Sequence, residues 1–358
     1  MAVDLKKLLT FCVQSKGSDV YIYCDARPMI KVHGKFKSMT KEPLAEEQAK
    51  EIIYSMLTDA QIIEFERELE LNTAITVDGI GRFRINVFCE RGKPALVARL
   101  IESSIPSVID LGLPKILEQL SMMDRGLVLV VGATGMGKST SLASMIKHRA
   151  ANRSGHIICI EDPIEFIHSH GKSLIGQREV GIDTKNYQNA LKSAMRESPD
   201  AIMIGEVLDT ETMNSAINFA DTGHLCLATL HAVNANQAID RIVNMYPVEH
   251  HARILHELSL NLNAVISMRL PIGVDGTRVP VVEVMLCTPR VRDLIREGEL
   301  GALKEAIVDD IDEVESRSQT FDWALLKQVQ QGRLSEEEAL LWADSPNDLK
   351  LKMRFGSD

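Results

Sequence analysis

The sequence predicts an α/β protein: a small N-terminal α+β domain, then a larger α/β domain that ends in helices. Three observations carry that prediction. Leu127-Val128-Leu129-Val130-Val131 is an unbroken apolar run of the kind a strand covered on both faces needs. From that run onward, strand-like and helix-like stretches alternate. Ahead of it, over residues 1–101, amphipathic helices are mixed with short strands.

Taken in order, residues 1–16 place Leu5, Leu8, Leu9, Cys12 and Val13 at helical spacing, with Lys6 and Lys7 between them and Gly17 as the stop. Strands are expected at 20–23 and 29–32, with Gly34 as a turn, and Ala49, Ile52, Ile53, Met56 and Leu57 mark a helix face. After the turn Gly79-Ile80-Gly81, Phe83, Ile85 and Val87 alternate with Arg82, Arg84 and Asn86, the period of a half-buried strand. A further strand at 96–101 contains Arg99. Residues 102–114 read as a linker, with Ser103-Ser104-Ile105-Pro106-Ser107 and Leu111-Gly112-Leu113-Pro114.

The second domain is expected over 115–288, with strands at 127–131, 157–160, 201–204 and 225–230. Tyr187, Leu191, Ala194 and Met195 form one helical face, and Met213, Ala216, Ile217 and Ala220 another, with Asp209 as N-cap and Gly223 as stop. Ala235, Ala238, Ile239, Ile242, Val243 and Tyr246 make a third stripe that Arg241 falls off. Residues 289–358 read as helical, with Asp309-Asp310, Asp312-Glu313 and 336–338 as solvated acidic faces.

Composition narrows the function classes. The net charge of −10 argues against general nucleic-acid binding, which needs a basic surface. The 6 cysteines are scattered with no C-x-x-C pair, which argues against a zinc site or disulfide framework and suits a reducing cytoplasm. No apolar run approaches the ~20 residues of a membrane span, so any membrane association is expected through partners.

The chemistry centres on Gly132-Ala133-Thr134-Gly135-Met136-Gly137-Lys138-Ser139, followed by Thr140. It fits G-x-x-x-x-G-K-[ST] between an apolar strand and a helix, the context of a nucleoside-triphosphate loop. Backbone amides there cradle phosphate oxygens, Lys138 reaches the β- and γ-phosphates, and the Ser139 hydroxyl holds Mg²⁺. Glu161-Asp162-Pro163-Ile164-Glu165 follows the strand at 157–160; its carboxylates suit either orienting the attacking water or holding the Mg²⁺ shell, against the plain alternative of an acidic surface loop. Asp200-Ala201-Ile202-Met203-Ile204-Gly205-Glu206 has the form of a Walker B strand, with Glu206 acting on Mg²⁺ through water. His224 and His231 flank the strand at 225–230 and together are expected around one strand edge, although either alone is as readily structural. His168 and His170 lack an acid or cysteine at ligand spacing. Arg82, Arg84 and Arg99 are candidate cations for a developing phosphate charge, with a solvated strand face as the plainer reading.

These blocks resemble the secretion ATPases of type II secretion and type IV pili. The phosphate loop, Ile160-Glu161-Asp162-Pro163-Ile164-Glu165-Phe166, Gln177-Arg178-Glu179-Val180, Gly205-Glu206, Thr222-Gly223-His224 and Thr229-Leu230-His231 stand in that family's order. Val291-Arg292-Asp293-Leu294-Ile295-Arg296-Glu297-Gly298 resembles the retraction branch, the PilT/PilU family, and the tail from Gln319 to Leu349 resembles its PilU side. The resemblance implies a PAS-like domain, a RecA-like P-loop ATPase domain and a homo-hexamer with ATP between the two domains and near a neighbour. It implies Glu165 as general base, Glu206 as Walker B acid, a His box that carries His231, and Arg82, Arg84 and Arg99 brought to the nucleotide. It also implies a PilT-like partner ATPase and a platform protein at the inner membrane, with this chain cytoplasmic and peripheral. One position departs: the family's arginine two residues after Glu206 is Leu208 here.

Three functions are therefore in view: an ATP-hydrolysing hexameric motor for pilus retraction, a nucleotide-binding adaptor that strengthens a partner motor, and a RecA-like DNA translocase, which the acidic charge disfavours.

Overall fold

The computed structural model describes residues 4–310 and 318–355. Met1 of the expected first helix and the Asp312-Glu313 pair lie outside the described residues. The chain divides into two compact units, one of Met1–Ser104 with Glu165–Ile167, the other of Ile105–Ile164 with His168–Asp358.

The first unit is an antiparallel sheet with helices. Its strands are β1 (Asp19–Ile22), β2 (Met29–Val32), β3 (Lys35–Ser38), β4 (Glu70–Val77), β5 (Gly81–Glu90) and β6 (Lys93–Ile101), in the order β3-β2-β1-β6-β5-β4. Phe83, Ile85 and Val87 of β5 are buried with Leu5, Leu9, Ile53 and Phe65 from the helices Leu5–Gln14, Glu46–Tyr54 and Asp59–Glu68. The other face follows from the register. Arg84 pairs with Arg99, and Arg99 with Asp19, so these three side chains share one face.

The first helix begins at Leu5 with Asp4 as its N-cap and stops at Gln14. The left-handed residue after it is Lys16, at φ 55°. Gly17 is needed for a different reason: a Cβ there would sit 2.8 Å from Cys12 Sγ. The sequence reading found β5 by its alternation and the second part of β6, but not β3, β4 or the helix Asp59–Glu68. β3 is exposed along its whole length and so carries no apolar pattern to read.

The second unit holds β7 (Gly126–Val131), β8 (Gly155–Glu161), β9 (Ser173–Glu179), β10 (Ala201–Ile204), β11 (Leu225–Leu230), β12 (Leu262–Arg269) and β13 (Val281–Leu286). Their order is β13-β12-β7-β11-β10-β8-β9, parallel throughout except for β13 against β12. Every residue of β7, β10 and β11 is buried, as strands covered by helices on both faces require. Two apolar clusters lie on the two faces of this sheet. Between β7 and β8 the chain crosses over β11 and β10, and ligands of open α/β sheets bind at the carboxyl ends of strands beside such a reversal.

Asp209 caps its helix as expected, accepting from the Thr212 amide at 2.8 Å. Met195 departs from its expected stripe: it is the C-cap of Tyr187–Ala194 and 47% exposed, because the helix ends before its side chain can turn inward. Val108 and Leu113, within the expected linker, are buried in one of the two clusters. Beyond β13 come helices Pro289–Glu297, Leu303–Asp309, Phe321–Gln330, Glu336–Trp342 and Pro346–Phe355. Phe321, Leu325 and Leu349 pack there with Val279 and Val281. Glu336 and Glu337 are exposed, whereas Glu338 accepts from Trp342 Nε1 and from the Ile272 amide, each at 3.0 Å.

Candidate functional site: the phosphate loop and its strand ends

β7 ends at Val131, and the chain curls through Gly132 to Gly137 into the helix Lys138–Asn152. The glycines are required rather than incidental. Gly135 and Gly137 have φ of 79° and 85°, and a Cβ on Gly132 would fall 2.9 Å from the Met268 carbonyl oxygen. Ala133, Thr134 and Gly135 are exposed, and Ser139 and Thr140 lie half-buried in the first turn of the helix. First-turn amides, which have no acceptor within the helix, and the helix dipole favour an anion at this point.

Lys138 is buried and folds back over the loop, donating to the carbonyls of Gly132 at 2.8 Å and Ala133 at 3.1 Å. Its Nζ also lies 3.4 Å from His231 Nδ1. His231 follows the end of β11, and its Nε2 is 2.5 Å from Glu206 Oε1, which follows the end of β10. An ammonium has no lone pair to offer, so Nδ1 accepts and the imidazole proton sits on Nε2, facing the carboxylate. The contact is an ion-pair approach rather than an aligned hydrogen bond, and among the described residues no other donor meets the buried Oε1. Three residues far apart in sequence thus form one line because β7, β11 and β10 are adjacent and parallel.

Glu161 is buried at the end of β8 and accepts from Gln177 Nε2 of β9 at 2.9 Å. Asp162 is exposed, before a cis peptide to Pro163. Gly205 is hemmed in: a Cβ there would lie 3.1 Å from both Glu161 Cα and Tyr187 Oη. Burial raises the Tyr187 phenol, and the charges of Asp162, Glu161 and Glu206 add to the rise. Thr229 Oγ1 donates to the Gly205 carbonyl at 2.5 Å and ties β11 to the segment that carries Glu206.

Glu165 is exposed and belongs to the first unit, where Phe166 bridges Glu102 and the Ile167 amide donates to the Glu102 carbonyl at 3.0 Å. Arg99 donates to Asp19 Oδ1 at 2.7 Å; that bond raises the guanidinium pKa, and the Glu165 charge contributes to the rise. Arg82 and Arg84 are half-buried on the same strand face.

The expectation that His224 and His231 cluster around one strand edge is corrected. The 6 residues of β11 run between them, so at ~3.3 Å per residue they stand roughly 23 Å apart. His224 packs edge-on against Phe219 and lies 3.0 Å from Thr222 Oγ1, at the amino end of β11. His168 is buried with Nδ1 unpartnered, and His170 Nδ1 accepts from the Ile175 amide at 3.1 Å. Among the described residues, no group of three or more His, Cys, Asp or Glu could hold a metal ion by itself.

Sequence reasoning missed several neighbours of the site. Arg278 donates to the Gly135 carbonyl at 3.1 Å from beyond β12. A cavity of about 460 Å³ beside Gly132 and Ala133 is lined by His231, Val233, Gln237 and Arg241. The one available signal was Arg241, a cation off an otherwise clean apolar stripe. Arg278 sits in a loop with no periodicity.

Residues 2–272 match the family described as type II/IV secretion system protein. The chain is 47% identical over 357 residues to the type IV pilus ATPase PilU of Pseudomonas aeruginosa, covering 99% of this chain and 93% of that protein. It is 38% identical to the type IV pilus retraction ATPase PilT of the same organism, over 97% of this chain and 100% of that one. Its structure is similar to that of the pilus retraction motor PilT with bound ADP, with a TM-score of 0.90 at 35% identity, covering 98% of this chain and 99% of that chain. The fold alone is shared with the Legionella pneumophila ATPase DotB, with a TM-score of 0.81 at 24% identity over 94% of each chain.

Proposed function

The chain belongs to the type II/IV secretion system protein family, among its PilT/PilU type IV pilus ATPases, and from that premise we propose how its residues hydrolyse ATP and where the work goes. It is an ATPase of pilus retraction and twitching motility. The observation that carries the reading of the site is the line from Lys138 through His231 to Glu206 at the carboxyl ends of adjacent parallel strands.

In this reading the loop 132–140 binds the triphosphate. Lys138 exchanges loop carbonyls for phosphate oxygens, and His231 links the γ-phosphate to Glu206. Ser139 and Glu206 are the residues that would hold Mg²⁺. The Glu206 carboxylate, its Oε1 buried and paired with His231 Nε2, would act on the ion through bound water. Bound there, the ion would supply charge neutralisation across the β- and γ-phosphates. Glu165 is the general base, with Glu161 and Asp162 shaping the acidic strand end. Arg82, Arg84 and Arg99 supply cations to the phosphate charge that develops, and His224 has no part in the reacting group.

Six copies form the working ring, beside a PilT-like retraction ATPase. The chain reaches the inner-membrane platform protein as a peripheral partner; among the described residues no helix is long and apolar enough to cross a membrane. The test is the steady-state ATPase rate of the purified chain with and without Mg²⁺, against Lys138→Ala and Glu206→Ala. A wild-type rate no higher than either variant sinks the reading.

An adaptor with little hydrolysis of its own is the second reading. Leu208 favours it: this side chain is 61% exposed two residues after Glu206, where the family's arginine would stand.

A further inference from the structure

We propose that Glu283 is a positioning residue for His231, acting through the start of the helix that follows it. This rests on the reading of His231 as a reporter of the γ-phosphate. Glu283 lies on β13, and its carboxylate is 3% exposed. The register places it opposite Ser267, which in turn lies beside Val131, the last residue before the phosphate loop. Glu283 is therefore at the same end of the sheet as the loop, two strands away.

Its Oε1 accepts two hydrogen bonds, from the Ala235 amide and from Ser267 Oγ, both at 2.9 Å. Ala235 is the first residue of the helix Ala235–Asn244, so its amide has no acceptor within that helix. Asn234 satisfies a second such amide, that of Gln237, at 2.9 Å. The helix start is thus fixed from within its own chain segment by Asn234 and from the sheet by Glu283. Only Ala232, Val233 and Asn234 separate it from His231.

A buried carboxylate is a costly way to cap a helix that already has an Asn cap. Burial pushes the Glu283 carboxyl up, and the Ala235 and Ser267 bonds oppose that rise. What the carboxylate adds is a rigid anchor on the edge sheet. With the start of the helix held, the short segment back to His231 has little freedom, and both ring nitrogens stay on their partners. The neighbouring charges on Glu283 are those of Asp344 and Arg269, which pair with each other at 2.6 Å.

The experiment compares full-length wild type, Glu283→Gln, Glu283→Ala, Ser267→Ala and His231→Ala. Three quantities are measured: ATP turnover, affinity for ADP, and amide hydrogen exchange of residues 231–237. Positioning predicts that Glu283→Ala lowers kcat about tenfold. Exchange at 231–237 then rises, while ADP affinity and exchange in the phosphate loop hold within about twofold. Glu283→Gln, which keeps an acceptor and the volume, retains most of kcat, and Ser267→Ala, which spares the Ala235 bond, stays near wild type. The proposal is overturned if Glu283→Ala turns over at the wild-type rate, or if it loses ADP binding and protection across the whole unit. A His231→Ala chain with unchanged kcat overturns the reading of the site, and the proposal with it. Reduced kcat in His231→Ala beside normal kcat in Glu283→Ala overturns the proposal alone.

Discussion

His231 stands between Lys138 and Glu206, with Nδ1 3.4 Å from the ammonium and Nε2 2.5 Å from the carboxylate. The loop that grips phosphate and the acid at the end of β10 are joined through one ring, and its tautomer is set by the lysine.

Removing either end of that line is expected to lower kcat by roughly 10²–10³, the scale for losing one charge-stabilising group. Lys138→Ala should also weaken nucleotide binding, whereas Glu206→Gln should leave it intact. Turnover and ADP titrations on the two proteins check the difference; equal loss of affinity in both contradicts the separation of roles.

Arg99 has two separable attributes. Its bond to Asp19 joins a guanidinium that is 68% exposed to a carboxylate that is 4% exposed. Solvent screening holds the expected loss of stability in Arg99→Ala to about 1 kcal/mol. Ser18 Oγ still donates to Asp19 Oδ2 at 2.7 Å. Hydrolysis should fall while the fold survives, measured as kcat beside a urea unfolding curve. Unfolding of the N-terminal unit in that variant would make the arginine structural.

His168 gives a pH signature. Burial lowers its pKa from 6.5 to about 4. The unfolded chain takes up this proton below pH 6.5 and the folded chain only near 4, so the folded state is favoured at higher pH and loses stability as pH falls through that window. The full loss is about 3 kcal/mol. His168→Leu should flatten this part of the stability curve, read by urea unfolding at pH 7 and at pH 4.5. Parallel curves for the two proteins rule the assignment out.

Leu208→Arg restores a cation two residues after Glu206. The native side chain is largely exposed, so arginine fits without disturbing the core. Turnover of the purified chain should rise by about tenfold, below the largest gains known for arginines at phosphoryl groups. An unchanged rate would detach Leu208 from catalysis and remove the observation that favours the adaptor reading.

The sequence by itself determined the phosphate loop, the strands at 127–131, 157–160, 201–204 and 225–230, and the acids that end two of them. Each is a local signal: an apolar run long enough to be buried on both faces, or a glycine pattern that only one loop geometry needs. It also placed the arginines on one face of β5, because alternation with Phe83, Ile85 and Val87 leaves them no other face.

It could not supply strand order. Whether β11 lies beside β7 depends on which apolar faces pack, and that is a property of the whole sheet. Tertiary structure therefore decided that His231 meets Lys138 and Glu206, while His224, a similar residue at the other end of the same strand, does not. The same holds for Glu283, Arg278 and Tyr187, which carry no motif. β13, the loop beyond β12 and a helix bring them near the phosphate loop and its strand ends. Periodicity reports which way a side chain faces along its own element; only the register between elements fixes what it touches.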